Sequence, residues 1–514
     1  MKKVIVIGAG LAGTEAALQL AKREIYVDLY EMRPTKQTGA HKTDMFAEFV
    51  CSNSLGSYDI TNASGLLKHE MEELDGELIK IVFESQVPAG GALAIDRELF
   101  SEKVTQKITQ NKFINVIREE VTEIPKDTPV IIASGPLTSE ALSNNIKEFL
   151  GEDYLHFFDA IAPIVEKDSI NFDKAFYLNR YNKGDADYIN CPMNKEEYEK
   201  FYNILINAPK IELKSFEKDA KFFESCLPIE VLASRGVDTL RYGPLKPVGL
   251  VDERTGIENY AVVQLRQDNK SASLYNLVGF QTNLKWGSQK ELLQSIPGLE
   301  NVSIVRYGVM HRNTFINSPK VLNPTLQSRK NPNIFFAGQL TGTEGYTESI
   351  ASGLLAGINM ARYIQEKELL ELPQETILGA LTHYISFEGH TSFQPINSNW
   401  GILAEMEMDK KTRKNKKLKN ELLANRAIET IKNFIASNKW QDYILNDVDN
   451  LIIWFIVLVS LYLFVALTSN SKFLLLFLGL YDTANSSCIV FWVMFLIILV
   501  FNEIESVTFN SGIK

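Results

Sequence analysis

Residues 4–13 read VIVIGAGLAG, and the order of residue types in this stretch decides the fold. The β-branched, apolar run at residues 4–7 is typical of a buried parallel strand. Gly8 permits a tight turn after the strand, Gly10 lets the backbone approach a pyrophosphate, and Gly13 lets a helix pack closely on the strand. The stretch therefore predicts the first turn of a dinucleotide-binding domain.

Two features that follow the glycines support this prediction. Residues 11–22 are predicted to form a helix, which would direct its N-terminal amides and the positive end of its dipole at the phosphates. Glu31 follows a second apolar run, IYVDLY, and is placed to accept hydrogen bonds from ribose hydroxyls. An isolated GxGxxG is weak evidence for a nucleotide site. The same glycines between a strand and a helix, with this acid in place, are much more specific, and a purely structural turn is the alternative.

Composition limits the functional class. The chain has 514 residues and a net charge of −10, so it has room for about two or three domains and is not coated in positive charge. Any contact with nucleic acid must therefore be local. No CxxC or Cys/His cluster occurs and no secretory signal precedes the first strand, so we expect a cytoplasmic protein with reduced thiols and no metal site. The cysteines are Cys51, Cys191, Cys226 and Cys488.

A second glycine-rich pattern late in the chain predicts the completion of the first domain. TPVIIASGP, residues 128–136, is typical of a short buried strand that runs into a glycine turn. Residues 333–357 then repeat this style, with a strand, a turn that contains Gly338 and Gly345, and a helix of small residues from about Thr347. Small residues would let this helix approach a cofactor, and its N-terminal amides could bind a negatively charged flavin carbonyl. Tight packing between helices is the alternative.

We therefore predict an α/β protein in which a Rossmann-like FAD-binding domain carries an inserted α/β substrate domain and a hydrophobic C-terminal tail. A helix at residues 195–208 and alternating strands at YAVVQLRQ and SLYNLVGFQ are expected within the insertion. Only one GxGxxG occurs, which favours a single bound FAD that a transient NADPH or NADH reduces. The predicted domains are residues 1–136 and 333–440 for FAD, 137–332 for the insertion and 441–514 for the tail.

The tail consists of apolar segments whose role the residues leave open. LIIWFIVLVSLYLFVAL, residues 451–467, is close to the lower limit of about 17 apolar residues for a membrane span. FLLLFLGLY and IVFWVMFLIILVF follow it. A membrane hairpin, an appendage packed on a partner and sequence foreign to the parent domain are all compatible with this pattern, and a membrane association would involve the tail only.

Seven segments carry a resemblance to a known family. They are EMRP (31–34), EFVCSNSL (48–55), ASGPLTS (133–139), ESCLPIEVLASRGVDTLRYGPLKPVGL (224–250), NLVGFQTNLKWGSQK (276–290), RYGVMHRNTFINSP (306–319) and FAGQLTGTEGYTESIASG (336–353). Together they resemble the folate- and FAD-dependent uracil-5-methyltransferases that modify RNA, over residues 1 to about 435. The resemblance implies 5-methyluridine formation in transfer or ribosomal RNA, with 5,10-methylenetetrahydrofolate as carbon donor and reduced FAD as reductant.

The resemblance also implies two catalytic cysteines. Carbon 5 of uracil is a poor nucleophile until a thiolate adds to carbon 6. This role is assigned to Cys226, because cationic Arg235 and Arg241 in the same segment would favour a thiolate if the fold brings them near. Cys51 is assigned the removal of the carbon 5 proton, although the sequence would allow the two roles to be exchanged. An inert core thiol is the alternative for either residue, and the other two cysteines receive no catalytic role.

The matching segments also suggest residues that bind folate. His69, in GLLKHEME, matches the position that the resemblance implies for stacking on the folate ring, whereas its helical spacing alone indicates a partly buried surface histidine. Cations available for the glutamate tail of folate are Lys285, Arg306, His311 and Arg312.

A basic run at residues 410–419 is the candidate RNA contact. Its cations are Lys410, Lys411, Arg413, Lys414, Lys416, Lys417 and Lys419. In an otherwise acidic protein, this run forms a local electrostatic footprint for phosphates. A solvated helix face and a positive flank for the tail are the alternatives.

Three other functions stay open at this point. The tail would suit a membrane-tethered, NAD(P)H-dependent flavin electron carrier, which would be indifferent to folate. A carboxymethylaminomethyl-uridine-type tRNA-modifying flavoprotein would share the fold. A noncatalytic RNA-binding scaffold would neither hold flavin nor turn over. The uridine methyltransferase accounts for more of the chain than any of these, and it is the function we predict.

Overall fold

The computed structural model describes residues 3–152, 154–182, 186–211 and 227–437. Cys226 and the apolar tail at 441–514 lie outside these residues. None of the helices in the described ranges combines the length and apolarity that a bilayer-spanning segment needs.

The elements of the described residues are numbered in chain order. The strands are β1 (Lys3–Ile7), β2 (Tyr26–Tyr30), β3 (Ser54–Ser57), β4 (Gln86–Val87), β5 (Ala92–Ile95), β6 (Ile114–Ile117), β7 (Val130–Ile132), β8 (Leu155–Ala160), β9 (Ile164–Glu166), β10 (Phe176–Tyr177), β11 (Ile189–Met193), β12 (Ala261–Gln267), β13 (Leu274–Leu277), β14 (Ile304–Arg306), β15 (Met310–Phe315) and β16 (Ile334–Phe336). The α-helices are α1 (Leu11–Ala21), α2 (Ala63–Glu73), α3 (Glu77–Glu84), α4 (Arg97–Thr109), α5 (Glu140–Leu150), α6 (Lys195–Asn207), α7 (Ile229–Ser234), α8 (Thr239–Tyr242), α9 (Trp286–Gln294), α10 (Ser318–Val321), α11 (Tyr346–Ile364), α12 (Ile377–Ser386), α13 (Lys410–Lys414) and α14 (Lys416–Ser437).

A parallel sheet forms the core of the nucleotide-binding part. Its strand order is β16-β7-β1-β2-β6, and every neighbouring pair is parallel. Ile7 at the end of β1 pairs with Tyr30 on one side and with Ile132 on the other. The edge strand β16 comes from the C-terminal half of the chain, whereas the others precede residue 133. The predicted α/β class with a Rossmann-like sheet is confirmed.

Glycine is required at the turn between β1 and α1 for steric reasons. Gly8 has φ +99°, and a Cβ there would lie 2.6 Å from the carbonyl oxygen of Ala133. A Cβ on Gly13 would lie 1.8 Å from the carbonyl oxygen of Gly8. Any side chain at either position would push α1 away from the sheet. Helix α1 then ends at Ala21, one residue before the predicted end.

The small residues of α11 bring it against α1. A Cβ on Gly353 would lie 2.2 Å from the carbonyl oxygen of Ala12, and one on Gly357 would lie 2.8 Å from the carbonyl oxygen of Ala16. These two glycines therefore allow the two helices to pack closely. Close helix packing is the alternative to a role of these small residues in approaching the cofactor. Only the N-terminal end of α11, which begins at Tyr346 after Gly345, is left to approach a ligand.

A second, six-stranded sheet lies in the middle of the chain, in the order β10-β11-β12-β13-β9-β14. Its pairs are antiparallel. The predicted helix at 195–208 is α6, which Asn194 and Glu197 begin with a reciprocal capping box. The two predicted strands are β12 and β13. All strands of this sheet lie between 137 and 332, while the boundaries themselves stay a prediction.

Two buried carboxylates cap helices that are distant in sequence. Glu15 on α1 accepts a hydrogen bond of 2.7 Å from the N–H of Leu78 at the start of α3. Glu70 on α2 accepts bonds of 2.6 and 2.9 Å from the N–H groups of Ile377 and Leu378 at the start of α12. Burial raises the pKa of Glu70 to about 7, although these two hydrogen bonds act to lower that pKa. Each carboxylate satisfies amides that a helix start leaves without a partner.

Candidate active site

A cleft opens at the carboxyl ends of β1, β2 and β7. Its volume, counted to the open mouth, is about 1040 Å³. We call it the nucleotide cleft. Four predicted cofactor residues line it, namely Gly8, Gly10, Glu31 and Gly338. Gly13 is absent from the lining, because the place of its missing side chain is filled by the Gly8 backbone. The position matches the rule that ligands bind at the carboxyl ends of parallel strands.

Gly10 differs from the other two fingerprint glycines. Its φ is −77°, and a Cβ built on it meets no atom within 4 Å. The fold would therefore accept a side chain at this position, and that side chain would extend into the nucleotide cleft. Gly10 keeps the cleft open, whereas Gly8 and Gly13 hold strand and helix together.

Glu31 lies at the floor of the cleft as a buried, ionised acceptor. Its Oε2 accepts a 3.2 Å bond from the N–H of Ala9, and its Oε1 accepts a 3.0 Å bond from Nε of Arg33. Burial alone would raise the pKa of Glu31, but the hydrogen bonds and charge of Arg33 outweigh burial and hold that pKa below its ordinary value. Arg33 is only 1% exposed and also pairs with Glu48 at 3.2 Å.

A second cavity of about 1200 Å³, counted in the same way, adjoins the first. We call it the thiol cavity, because Cys51 lines it together with Gly345 at the start of α11. Wall residues common to both cavities are Val50, Pro136, Leu137, Gln339 and Tyr346. A group bound in the nucleotide cleft thus has direct access to the space in front of Cys51.

Cys51 lies half-buried in a positively charged environment. Its N–H donates a 2.6 Å bond to the hydroxyl of Tyr346, and its carbonyl oxygen accepts a 3.1 Å bond from Nη1 of Arg97. Arg306 donates from Nη2 to the carbonyl oxygen of Val50 at 2.6 Å. Both guanidinium groups interact electrostatically with the Cys51 side chain. Nearby positive charge favours a thiolate over a thiol.

A third arginine binds the two residues that follow Cys51. Arg266 on β12 donates a 2.7 Å bond to Oγ of Ser52 and a 3.1 Å bond to Oδ1 of Asn53. Arg97 is neutralised by Asp268, with which it forms a salt bridge. Within the described chain, Arg266 and Arg306 form no such bridge, so two guanidinium groups without a carboxylate partner lie beside the Cys51 segment, while Glu344 and Glu348 line the cavity itself.

Cys226 cannot be placed, because it lies outside the described residues, but the chain that follows it reaches the thiol cavity. The N–H of Ile229 donates a 2.7 Å bond to the carbonyl oxygen of Gln281, which lines that cavity. Glu230 reinforces the contact, since it accepts a 2.8 Å bond from the N–H of Asn283. The third residue after Cys226 is thus anchored to the cavity wall, and the fourth is anchored two residues farther along the same segment.

His69 is not brought into either cavity. It lies on α2, where its Nδ1 is 3.0 Å from Oε2 of Glu72. Its ring lies against Tyr58, with 4.3 Å between centroids. The folate-stacking role of His69 stays a prediction. Lys285 lies exposed at the start of α9, and the side chains of His311 and Arg312 are outside the described part of the structure.

The basic run lies apart from both cavities. It forms α13 and the first turn of α14, and Asp409 caps α13 by accepting bonds from the N–H groups of Lys411 and Thr412. Six of its seven cations are exposed and Lys419 is half-buried. In the described structure none of the seven forms an ion pair.

Several residues of the site were not anticipated. Arg33 and Tyr346 lie within segments quoted above, EMRP and FAGQLTGTEGYTESIASG, and so carried a detectable signal. Arg97 and Arg266 carried none, because they lie outside those segments and meet Cys51 and its neighbours only through the tertiary fold. Cys191 is fully buried in the core, where burial raises the pKa of its thiol far above the ordinary value.

Comparisons with known proteins identify the family. A relative from Anoxybacillus flavithermus is 58% identical over 433 residues, which is 84% of this chain and 99% of the relative. One from Bacillus subtilis is 59% identical over 428 residues, or 83% of this chain and 97% of the relative. Both carry the name methylenetetrahydrofolate–tRNA-(uracil-5-)-methyltransferase TrmFO. This chain belongs to the TrmFO family. The resemblance predicted from the seven segments is confirmed.

The TrmFO family shares its fold with a wider group. A family model for glucose inhibited division protein A matches residues 3–368. The structure of Aquifex aeolicus GidA in its form II crystal superposes with a TM-score of 0.61, covering 88% of this chain and 77% of that one. Sequence identity in this superposition is 18%, so it shows the common fold.

The arginines around Cys51 yield a prediction about its reactivity. In Arg306→Gln, loss of a neighbouring positive charge should move the pH profile of Cys51 alkylation by iodoacetamide upward by about one pH unit. The labelled peptide is identified by mass spectrometry, so that Cys51 is scored separately from the other thiols. Arg254→Gln removes an exposed guanidinium on a remote loop and should leave the profile in place. An unchanged profile in Arg306→Gln would show that this guanidinium does not influence the thiol.

Proposed function

We propose that this protein methylates carbon 5 of a uridine in transfer RNA. The carbon comes from 5,10-methylenetetrahydrofolate, and the electrons come from reduced FAD, which NADPH or NADH regenerates. The observation that carries the proposal is identity of about 58% with methyltransferases of that name over more than four fifths of the chain. A nucleotide cleft that opens directly into a cavity with a thiol supports it. A cytoplasmic location accords with this substrate.

The nucleotide cleft fits FAD. The backbone at Gly8 and Gly10 would hold the pyrophosphate at the start of α1, and Glu31 has the ionised carboxylate that a ribose diol requires. Gly338 and Gly345, at the turn before α11, would lie beside the flavin end. Bound FAD supplies the electrons for reduction of the transferred carbon.

The cysteines carry out the proposed covalent steps on the base. The Cys226 thiolate adds to carbon 6 of uracil, and the electron pair of the 5,6 double bond then makes carbon 5 a nucleophile toward the one-carbon unit. The Cys51 thiolate removes the proton from carbon 5 as the bond from the one-carbon unit to its donor breaks. Once that carbon has been reduced to a methyl group, the 5,6 double bond re-forms and the bond from Cys226 to carbon 6 breaks. Arg97 and Arg306 favour the anionic form that Cys51 needs for this step.

The relatives favour this reaction over the other functions considered. Neither the flavin electron carrier nor the carboxymethylaminomethyl-uridine-type enzyme accounts for identity of this extent with folate-dependent methyltransferases. The RNA scaffold does not account for the ionised Glu31 and the open cleft. The tRNA contact is proposed at residues 410–419, and support for it is limited to the exposure and charge of that run.

FAD binding depends on the open space at Gly10. Gly10→Val should fold normally, because its Cβ meets no protein atom, yet purify without flavin, because the side chain fills the pyrophosphate position. Flavin absorbance and circular dichroism measure the two effects. Gly91→Val is the matched control, since its Cβ also meets nothing within 4 Å and Gly91 is not part of the cleft lining. A yellow Gly10→Val protein would disprove the assignment of the cleft.

The separate roles of Cys226 and Cys51 are tested with tRNA that contains 5-fluorouridine. Fluorine cannot leave as the proton does, so the wild type should form a stable covalent complex. Cys226→Ala should form none, because the bond to carbon 6 is never made, whereas Cys51→Ala should still form it. Both variants should lose methyl transfer and keep NAD(P)H oxidation. The opposite pattern of complexes would exchange the two roles, and Cys488→Ala serves as the unaffected control.

The basic run is tested by the salt dependence of tRNA affinity. Replacement of Lys414, Lys416 and Lys417 by Ala should weaken binding and flatten its logarithmic salt slope by about 0.7 to 0.9 for each phosphate that the protein no longer neutralises. NAD(P)H oxidation without tRNA should stay the same. Lys432→Ala, on the same helix but paired with Glu73, is the control. If affinity and slope are both unchanged, the run is simply a solvated surface.

A further inference from the structure

A pair of stacked aromatic rings, one exposed and one half-buried, has no role in the fold or in the reaction described above. Trp286 at the start of α9 is 59% exposed, and its ring lies on that of Tyr307 with 5.3 Å between centroids and 17° between planes. We call these two rings the aromatic platform. An exposed indole face backed by a second ring offers a flat apolar surface on which a planar partner can stack.

The platform is held rigidly. The Gln289 side chain donates a 2.8 Å bond to the carbonyl oxygen of Gly308 and accepts a 2.8 Å bond from its N–H. The same amide nitrogen donates a 2.7 Å bond to the carbonyl oxygen of Leu284. The backbone segments that carry the two rings are therefore tied together before any partner arrives, which lowers the entropy cost of binding.

The chain that carries the platform also contacts the wall of the thiol cavity. Tyr307 lies between Arg306, which binds the carbonyl oxygen of Val50, and Gly308, whose missing Cβ would lie 2.6 Å from the carbonyl oxygen of Ile161. Val50 and Ile161 both line the cavity. The segment that carries Tyr307 is thus anchored on both sides to residues of the cavity wall.

The charges around the platform suit an anionic partner. Lys285 and Lys290 are exposed on either side of Trp286 along the chain, and Lys210 lies exposed on the segment that pairs with Leu284. Glu291 is the exposed acid next to them. The balance is positive, which complements a phosphate backbone.

A uridine whose carbons 5 and 6 must meet a thiolate has to leave the base stack of its RNA. Its former neighbour then loses a stacking partner, and aromatic side chains commonly replace it. We propose that the aromatic platform stacks on an unstacked base of the tRNA substrate next to the uridine that enters the thiol cavity. This inference rests on the proposed function and adds a recognition surface to it.

The affinity of the full-length protein for tRNA tests this surface. Trp286→Ala should weaken tRNA binding roughly tenfold, in line with about 1–3 kcal/mol for a base stacked on an aromatic ring. The logarithmic salt slope should stay the same, because the variant neutralises as many phosphates as the wild type does. Trp286→Phe should recover most of the affinity. NAD(P)H oxidation without tRNA should be normal in both variants.

A matched control and a direct readout complete the experiment. Phe387 is equally exposed at 59% but follows α12, outside the segments that carry the platform, so Phe387→Ala should bind tRNA as the wild type does. In tRNA with 2-aminopurine next to the target uridine, wild-type protein should quench the fluorescence and Trp286→Ala should not.

Two outcomes would overturn the inference while the proposed function stands. One is wild-type affinity and quenching in Trp286→Ala. The other concerns the oligomeric state, measured by light scattering. If the wild type is an oligomer and Trp286→Ala has a lower mass but the same tRNA affinity, the platform is a contact between copies of the chain. If wild-type protein fails to methylate tRNA at all, the proposed function itself is wrong.

Discussion

The close approach of α1 to its surroundings is the constraint on which the structure depends. Gly13 lets the helix rest on the turn at Gly8, and Gly353 and Gly357 let α11 come within van der Waals distance of the α1 backbone. These contacts fix the end of β1, the start of α1 and the start of α11 in one place. The nucleotide cleft is the space that remains between those three ends, so its shape follows from contacts that involve no ligand at all.

The nucleotide cleft and the thiol cavity also differ in the charged groups around them. In the nucleotide cleft, Arg33 is enclosed between the carboxylates of Glu31 and Glu48, and Glu119 and Glu120 also line the cleft, so the local charge is negative. Beside the Cys51 segment, only one of three arginines has a carboxylate partner within the described residues, while Glu344 and Glu348 line the thiol cavity itself. The carboxylates of the cleft suit the hydroxyl groups of a ribose, and the arginines beside the Cys51 segment suit a thiolate. Because the two cavities share wall residues, a group bound in the nucleotide cleft can react directly with a group held in the thiol cavity.

The parts of this fold that follow from local sequence could be predicted, and those that depend on distant contacts could not. Gly8, Gly13 and the strand before them are determined by backbone geometry over a few residues, and their roles are visible in the sequence. The environment of Cys51 is different, because Arg97 and Arg266 reach it from elements far along the chain. Similarly, Glu15 and Glu70 resemble ordinary surface positions of amphipathic helices until the helices that they cap are known.

The capping by Glu70 has a consequence for synthesis of the protein. This carboxylate is buried by α12, whose first amides belong to residues 377 and 378, and the neighbouring sheet is completed only by β16. The N-terminal half therefore cannot reach its final state on the ribosome until more than 370 residues have been made. At about 5–20 residues per second, apolar strands wait on the order of 20–80 s before their last partners exist. The N-terminal half of such a chain is exposed to aggregation and to chaperones throughout that interval.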